Sequence, residues 1–178
     1  MKRPALFLDR DGVINMDHGY VHRPVDVEFL DGIFELVAEA KRAGFLVVVV
    51  TNQAGIGRGY YSEADFQELM DWMKSRFVEH SGQIDAVYFC PYHPEHGVGK
   101  YLRESDCRKQ DPGMLLQAQR ELDIDMERSI LIGDKPSDMM AGLAAGGCTC
   151  FAIGSVDEMS STITISRLSD VLPFISSQ

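Results

Sequence analysis

Short apolar segments rich in β-branched residues recur along the chain, and this pattern constrains the fold more than any other feature. Segments with helical periodicity separate them, so predicted strands and helices alternate. Such alternation predicts an α/β fold in which a Rossmann-like parallel sheet carries helices on both faces. The predicted strands are residues 5–8 (ALFL), 45–51 (FLVVVVT), 86–90 (AVYFC), 129–133 (SILIG) and 148–154 (CTCFAIG).

Four segments between these strands carry helix-start signals. The clearest is a capping box, in which Ser62 and Asp65 precede apolar residues at helical spacing. Gly44 is predicted to end one of the other helices. The tail, residues 155–178, predicts one further short strand and a helix. The remaining predicted helix starts are Asp31, the Asp111–Pro112 pair and Ser137.

The composition limits the classes of partner. With 178 residues, 45% of them hydrophobic, the chain is predicted to form one domain over residues 1–178. It has 17 Lys and Arg against 27 Asp and Glu, a net charge of −10, which argues against binding to nucleic acid or anionic membranes. No apolar run approaches the length of a membrane span and no export signal is recognised, so we expect a cytoplasmic protein. The sequence does not determine the oligomeric state, for which we favour a monomer.

Polar residues follow three of the predicted strands at the point where each strand ends. In open parallel α/β sheets, ligands bind beyond the carboxyl ends of the strands, where the strand order reverses. We therefore expect these side chains to meet, together with Lys109, which shortly precedes the predicted helix start at Asp111. The residues that follow the strands are Asp9 and Asp11, Thr51 and Asn52, and Asp134.

Carboxylates that meet at one sheet edge repel one another unless a cation joins them. Oxygen ligands suit Mg²⁺ better than zinc, so Mg²⁺ is the predicted cofactor. Lys109 and Thr51 can hold the oxygens of a phosphoryl group at the same edge. Of Asp9 and Asp11, one could attack phosphorus and the other could deliver a proton to the leaving oxygen, by way of an aspartyl-phosphate. Their two-residue spacing points both side chains to one side of the strand end, with Arg10 pointing elsewhere.

Each of these motifs also has a plainer interpretation. The DRDG segment at 9–12 is typical of a turn, and Thr51 with Asn52 can end a strand and cap a helix. Lys109 can be a solvated surface charge, and Asp134 can simply end a strand. The prediction of phosphoryl chemistry depends on the motifs occurring together, in order, each after a predicted element.

In this order, the motifs resemble those of the haloacid dehalogenase superfamily of phosphatases. The resemblance implies that Asp9 is the nucleophile and that Asp11 is the general acid and then the general base. Thr51 and Lys109 would bind the phosphoryl group. Asp9, the carbonyl of Asp11, and Asp134 would bind Mg²⁺. The matching motifs are DRDG at 9–12, TN at 51–52, RK at 108–109 and GDKPSD at 133–138.

A narrower resemblance, to the family of D-glycero-D-manno-heptose 1,7-bisphosphate 7-phosphatases, extends over nearly the whole chain. These enzymes of heptose biosynthesis remove the 7-phosphate of the sugar, and small loops rather than a lid domain cover their sites. The implied substrate contacts are Asn52, Gln53, Arg58 and Arg108. Arg58 could instead be a surface residue of its loop. The similar segments are DRDGVIN, DHGYVHRP, TNQAGIGRGYYSEADF, CPYHPEH, DCRKQDPGMLLQA and IGDKPSDM.

The loop at 91–111 corresponds to a metal loop in that family, where relatives carry a structural zinc, but it departs from their pattern. A phenol and a hydroxyl replace two of the four ligands, so zinc is doubtful. His93 and His96 could substitute in a rearranged site. Without a metal, the two remaining cysteines would be nearby thiols, because a chain with four cysteines is not a disulfide-dense scaffold. The residues at the four ligand positions are Cys90, Tyr92, Ser105 and Cys107.

Three other functions share some of these features. A histidinol-phosphate phosphatase has the same motifs and loop, although DHGYV and GIGRG favour the heptose assignment. A phosphoaspartate signalling module also uses acidic residues, Thr, Lys and Mg²⁺, but its acceptor aspartate follows a middle strand, whereas Asp9 follows the first. A catalytically silent sugar-phosphate binding protein would not need both Asp9 and Asp11. The sequence does not determine which anomer of the heptose is used.

Overall fold

The computed structural model describes residues 2–154 and 161–176. Within these residues, six strands form one parallel sheet in the order β3-β2-β1-β4-β5-β6. The strands are β1 (Ala5–Leu8), β2 (Leu46–Asn52), β3 (Ala86–Cys90), β4 (Ile130–Gly133), β5 (Thr149–Ile153) and β6 (Thr162–Ile165). The helices are α1 (Ile33–Arg42), α2 (Ala54–Gly57), α3 (Glu63–Glu79), α4 (Gly113–Leu122), α5 (Pro136–Ala145) and α6 (Leu172–Ser176). The predicted tail strand and helix are therefore confirmed, while residues 155–160 and 177–178 lie outside the described residues.

The strand order reverses at β1, in the middle of the sheet. Leu6 of β1 pairs with Val47 of β2 on one side and with Ile130 of β4 on the other. The chain runs outward from β1 to β2 and β3, and then returns to build β4, β5 and β6 on the opposite side. A crevice therefore opens beyond the carboxyl ends of β1 and β4, which is where this class of sheet binds its ligands.

Side chains alternate along β1, so that the sheet buries both of its faces. Leu6 and Leu8 pack into the core on one face, and Ala5 and Phe7 pack into the core on the other. All four side chains are fully buried. Leu36 of α1 and Leu69 of α3 belong to the first core, and Leu115 of α4 and Met139 of α5 belong to the second. The prediction of helices on both faces is confirmed.

The helix starts agree with the sequence in most places. The predicted capping box is present, since Ser62 Oγ accepts from the Asp65 N–H (3.0 Å) and Asp65 Oδ2 accepts from the Ser62 N–H (2.7 Å). The prediction that Asp31 caps α1 is wrong. The capping position is Gly32, whose φ of 81° lies in the left-handed region that glycine adopts readily. The other two helices start at Gly113, after the predicted Asp111–Pro112 pair, and at Pro136, one residue before Ser137.

Cys90 and Cys107 form a disulfide, with their Cα atoms 5.6 Å apart. This corrects the expectation that, without a metal, these two cysteines are unbonded neighbouring thiols. The bond joins the carboxyl end of β3 to the loop before α4, and it holds that loop against the edge of the sheet. Cys148 and Cys150 have free thiols.

Two long loops lie at the carboxyl edge of the sheet. One connects β1 to α1 and contains a short 3-10 turn at Pro24–Asp26, and the other connects β3 to α4 and contains one at Gly99–Tyr101. In the described part of the chain, these loops cover the crevice without a separate lid domain. None of the described helices has the length and apolar character needed to cross a membrane.

Candidate active site

Asp9 is the first residue after β1, and its side chain is almost fully buried. Its N–H donates to the Ile132 carbonyl (3.1 Å), so its backbone is still held against β4. Oδ1 accepts from the Arg10 N–H (2.8 Å) and from Nζ of Lys109 (2.8 Å). These two donors fix the orientation of the carboxylate at the mouth of the crevice.

The ammonium of Lys109 is buried and uses all of its donors. Besides Asp9, Nζ contacts the Val50 carbonyl (2.9 Å) and Oδ1 of Asp138 (2.6 Å). An ammonium has three protons, so three partners leave none unsatisfied. Burial disfavours the charged form, but the carboxylates of Asp9 and Asp138 outweigh burial and raise the pKa of Lys109. Lys109 is therefore a fixed positive charge beside the predicted nucleophile.

The cluster around Lys109 carries more negative than positive charge. Burial raises the pKa of Asp9 to about 8; Lys109 lowers this pKa, whereas Asp138 and Asp134 raise it. Burial also raises the pKa of Asp134, and Asp138 adds to that effect. Lys135 opposes the rise at Asp134, but two lysines do not compensate three carboxylates at short range, so the arrangement favours a further cation.

The oxygens of this cluster fit a divalent cation. Carboxylate oxygens of Asp9, Asp134 and Asp138 lie within 4.8 Å of one another. Oδ1 of Asp134 is buried and has no hydrogen-bond partner, so it is available as a ligand. Hard oxygen donors of this kind suit Mg²⁺. Gly12 permits the close approach, because its φ is 92° and a Cβ at this position would lie 2.1 Å from Oδ2 of Asp134.

Asp138 organises the end of β4. Its Oδ2 accepts from the N–H groups of Asp134 and Lys135, both at 3.1 Å, while its Oδ1 contacts Lys109. Both of its oxygens are thus used to hold neighbouring residues. It joins the loop after β4 to the lysine that arrives from the opposite side of the crevice.

Asp11 lies at the same edge, with a different set of partners. Nη2 of Arg10 donates to Oδ1 (2.9 Å) and Oδ2 (3.0 Å) of Asp11, and Nε of Arg10 lies 3.3 Å from Oδ1. Nδ2 of Asn15 (3.1 Å) and Nε2 of Gln53 (3.3 Å) also donate to the Asp11 carboxylate. The expectation that Arg10 points elsewhere is wrong, because its long side chain folds back to bind its neighbour. Arg10 and Asn15 are site residues that sequence reasoning missed.

Thr51 and Asn52 are the last two residues of β2, and Gln53 follows them at the wall of the crevice. Thr51 is buried, and its Oγ1 accepts from Nε2 of Gln53 (2.9 Å). Oε1 of Gln53 accepts from the Tyr61 hydroxyl (2.5 Å). Asn52 exchanges two hydrogen bonds with the backbone of Lys109. Both amides, which were predicted to contact the substrate, are therefore engaged within the protein, although both residues line the crevice.

Of the two arginines that were predicted to contact the substrate, Arg108 lines the cavity and Arg58 lies outside its lining. Arg108 lines the crevice, and its Nη1 lies 3.4 Å from the Tyr92 carbonyl. Burial lowers the pKa of Arg108, and the charge of Arg58 lowers it further, so the two guanidiniums are near enough to repel each other. Arg58 has a buried Nε without a hydrogen-bond partner, and its guanidinium carbon lies 6.0 Å from the centre of the Tyr20 ring.

The crevice forms a cavity of about 410 Å³, and the loop after β1 contributes to its wall. Lys135 reaches across this cavity to Asp17 of the loop, at 2.9 Å. Sequence reasoning did not assign Asp17, Tyr20 or Lys135, although DHGYV and GDKPSD were the segments that contained them. The residues that line the cavity include Asp9, Asp11, Asp17, Tyr20, Asn52, Gln53, Tyr61, Arg108, Lys109, Lys135, Ser137 and Asp138.

Comparison with known sequences gives consistent relatives. A family model described as HAD-hydrolase-like matches residues 106–155. D-glycero-alpha-D-manno-heptose-1,7-bisphosphate 7-phosphatase of Burkholderia mallei is 54% identical over 179 residues, which cover 98% of this chain and 95% of that protein. D-glycero-beta-D-manno-heptose-1,7-bisphosphate 7-phosphatase of Escherichia coli K12 is 49% identical over 142 residues, which cover 80% of this chain and 74% of that protein.

Solved structures with the same fold include a D,D-heptose 1,7-bisphosphate phosphatase from B. bronchiseptica, complexed with magnesium and phosphate. It is 28% identical and superposes with a TM-score of 0.85, covering 98% of both chains. A putative HAD-like phosphatase from Mesorhizobium loti is 37% identical and superposes with a TM-score of 0.89, covering 99% of this chain and 87% of that one.

Proposed function

The chain belongs to the family of heptose 1,7-bisphosphate 7-phosphatases, and we propose that it is a Mg²⁺-dependent phosphatase that removes the 7-phosphate of D-glycero-D-manno-heptose 1,7-bisphosphate. The observation that supports this most directly is the buried contact between Lys109 and Asp9, next to the oxygen of Asp134 that has no partner. The residues to which we assign the nucleophile, the phosphoryl-binding cation and a metal ligand are therefore neighbours at the carboxyl end of β1. The reaction is a phosphoric monoester hydrolysis.

Ligand binding divides among residues of this chain. We assign Mg²⁺ to Asp9, the carbonyl of Asp11, and Asp134, where it would offset the negative charge of the phosphoryl group. Thr51 and Lys109 bind the phosphoryl group: the Thr51 hydroxyl contacts its oxygens, and Lys109, whose three protons already have partners, attracts them through its charge. The three contacts of the Lys109 ammonium keep its charge in one place while the phosphoryl group passes to Asp9.

The chemical steps follow from the two aspartates of the DRDG motif. The Asp9 carboxylate attacks phosphorus, the bond from phosphorus to the sugar oxygen breaks, and Asp11 gives its proton to that oxygen. A water molecule then attacks the aspartyl-phosphate while Asp11 takes up its proton. The bond between phosphorus and the Asp9 oxygen breaks, and phosphate leaves with Asp9 restored.

The second phosphate of the substrate requires its own positive charge. Arg108 lines the cavity, and it is close enough to Arg58 for the pKa of Arg108 to be lowered by that charge. An anion between two guanidiniums relieves their repulsion and can accept hydrogen bonds from both. We therefore assign Arg58 and Arg108 to the 1-phosphate, and the walls formed by Asn52 and Gln53 to the sugar.

The deciding experiment is phosphate release from both anomers of heptose 1,7-bisphosphate and from histidinol phosphate, with Mg²⁺ and with EDTA. Phosphorus NMR identifies which phosphate leaves. Metal-dependent loss of the 7-phosphate is the expected result, and the faster anomer defines the pathway. Preference for histidinol phosphate would overturn the substrate but not the mechanism. No turnover of any of the three would favour a silent binding protein.

Three further features belong to the same proposal. Residues 1–178 form one domain, in which the loop at 91–111 holds no zinc, because Tyr92 and Ser105 are weak ligands and the disulfide occupies both cysteine sulfurs.

The enzyme is a monomer that needs no nucleic acid or membrane partner, and light scattering tests its mass. It acts in the cytoplasm, which fractionation tests. Disulfides are uncommon there, so the thiol state of the fractionated protein is part of that test.

A further inference from the structure

Arg10 is the largest fully buried side chain described in the protein, and it carries a charge. Its guanidinium binds both oxygens of Asp11 through Nη2 and approaches one of them through Nε. The same Nη2 donates to the Val21 carbonyl at 2.5 Å. Arg10 thus joins the predicted general acid to the loop that forms one wall of the cavity.

Stability does not explain this arrangement well. Taking a guanidinium out of water costs free energy, and a buried ion pair often contributes no more than apolar residues of similar volume. In this case Nη1 of Arg10 is also buried without a hydrogen-bond partner, which adds to the cost. A charge retained under these conditions suggests a role in the reaction.

The partners of Asp11 converge from separate parts of the chain. Arg10 precedes it, Asn15 follows in the next turn, and Gln53 reaches it from the end of β2. Gln53 is itself held by the Tyr61 hydroxyl. Only the guanidinium binds both oxygens of the carboxylate, and such a planar, two-oxygen contact fixes orientation as well as position.

We propose that Arg10 is a positioning residue, which acts through Asp11. It orients the Asp11 carboxyl group toward the oxygen of the leaving group, and its contact with the Val21 carbonyl fixes this orientation relative to the loop. The inference rests on the proposed function. Arg10 is fully buried and is not among the residues that line the cavity, so it acts through Asp11. Proton transfer depends on the distance and angle between the two oxygens, so loss of the guanidinium slows the steps that use Asp11 and spares attack by Asp9.

The test compares two leaving groups in Arg10→Met and Arg10→Lys. A sugar alkoxide needs a proton when it leaves, whereas nitrophenolate does not. We expect Arg10→Met to lower kcat/KM about a hundredfold for the heptose bisphosphate but less than about fivefold for 4-nitrophenyl phosphate. With 4-nitrophenyl phosphate, kcat should fall and a burst of one nitrophenol per chain should appear, because hydrolysis of the aspartyl-phosphate also uses Asp11.

The dependence on Asp11 is tested by a double-mutant cycle. In an Asp11→Asn background, Arg10→Met should change kcat/KM for the heptose bisphosphate less than about twofold, because the carboxyl group on which Arg10 acts is already absent. Arg42→Met, at the end of α1, is the control for removing a guanidinium far from the site. Melting temperatures show which variants are folded, and Arg10→Lys carries the same comparison if Arg10→Met does not fold.

Two results would overturn the inference while the proposed function stands. One is an equal fall in kcat/KM for the heptose bisphosphate and for 4-nitrophenyl phosphate in Arg10→Met. The other is a double variant whose kcat/KM falls by the product of the two single-variant factors. Failure of the proposed function gives a different result, because the unmodified enzyme would then release no 7-phosphate from the heptose substrate.

Discussion

The side chain of Asn52 and the backbone of Lys109 are joined by two hydrogen bonds. Nδ2 of Asn52 donates to the Lys109 carbonyl, and the Lys109 N–H donates to Oδ1 of Asn52, each at 3.1 Å. The pair crosses from the end of β2 to the loop before α4. It fixes the position of the Lys109 backbone relative to β2, and the Lys109 ammonium then lies 2.8 Å from Oδ1 of Asp9.

This relationship predicts that Asn52→Asp impairs the reaction more than binding. The new carboxylate oxygen would face the Lys109 carbonyl and repel it, so the loop and its ammonium should shift. We expect kcat to fall roughly 10- to 100-fold with a smaller change in KM. Gln117→Ala, which removes an exposed amide on α4, serves as the control. An increase in KM at constant kcat would instead indicate that Asn52 acts only by contacting the sugar.

Asp9→Asn should abolish turnover and leave the fold intact. The amide cannot attack phosphorus, but it can still accept hydrogen bonds from the Arg10 N–H and from Lys109. Phosphate release should fall to the background rate, while circular dichroism and the melting temperature show a folded protein. Unimpaired turnover in this variant would exclude the covalent mechanism.

The pKa of Asp9 predicts how the stability of the metal-free protein depends on pH. Burial raises this pKa to about 8, from an ordinary value of 3.8, although Lys109 opposes the rise. The folded state then holds the Asp9 proton more tightly than the unfolded state. The bound proton therefore adds its full contribution to the free energy of unfolding below about pH 4, and this contribution is lost as the pH rises through about 8.

In EDTA, we therefore expect the melting temperature to decline between about pH 5 and pH 8, and Asp9→Asn should remove most of that decline. Adding Mg²⁺ should raise the melting temperature most at the upper end of this range, where Asp9 is ionised. Parallel profiles for the wild-type and variant proteins would show that other groups control this dependence.

Much of the fold could be predicted from local patterns. The apolar runs around Leu6, Val48 and Leu131 are buried strands because parallel strands inside a two-sided core must be apolar throughout. The edge at which Asp9 and Asp134 meet follows from the parallel order alone. The prediction that Asp31 caps α1 was wrong because the next residue is a glycine. The backbone enters α1 through a residue with φ of 81°, a conformation that Gly32 adopts more readily than an aspartate does.

The parts that could not be predicted depend on the paths of long side chains and on distant contacts. Spacing shows where the Cβ of Arg10 points, but not that its guanidinium returns to Asp11. The ion pair of Lys135 with Asp17 joins residues more than a hundred positions apart. The sequence placed Cys90 and Cys107 in one loop region, while their bond depends on how the intervening chain folds.

The disulfide between Cys90 and Cys107 predicts that reductant weakens both stability and activity. It closes a loop with a sequence separation of 17, for which the expected loss of stability on cleavage is about 3 kcal/mol. Cys107 is also two residues from Lys109, so the freed loop should hold the ammonium less firmly and lower kcat/KM severalfold. Denaturant unfolding and phosphate release, with and without dithiothreitol, measure the two effects.

Two variants separate this bond from general effects of reductant. Cys107→Ser should resemble the reduced protein and no longer respond to dithiothreitol, whereas Cys148→Ser, which changes a cysteine outside the bond, should respond as the wild-type protein does. Thiol titration of the oxidised, unfolded protein should find two free thiols, those of Cys148 and Cys150. Four thiols, or one zinc per chain by metal analysis, would contradict the disulfide and restore the metal loop of the relatives.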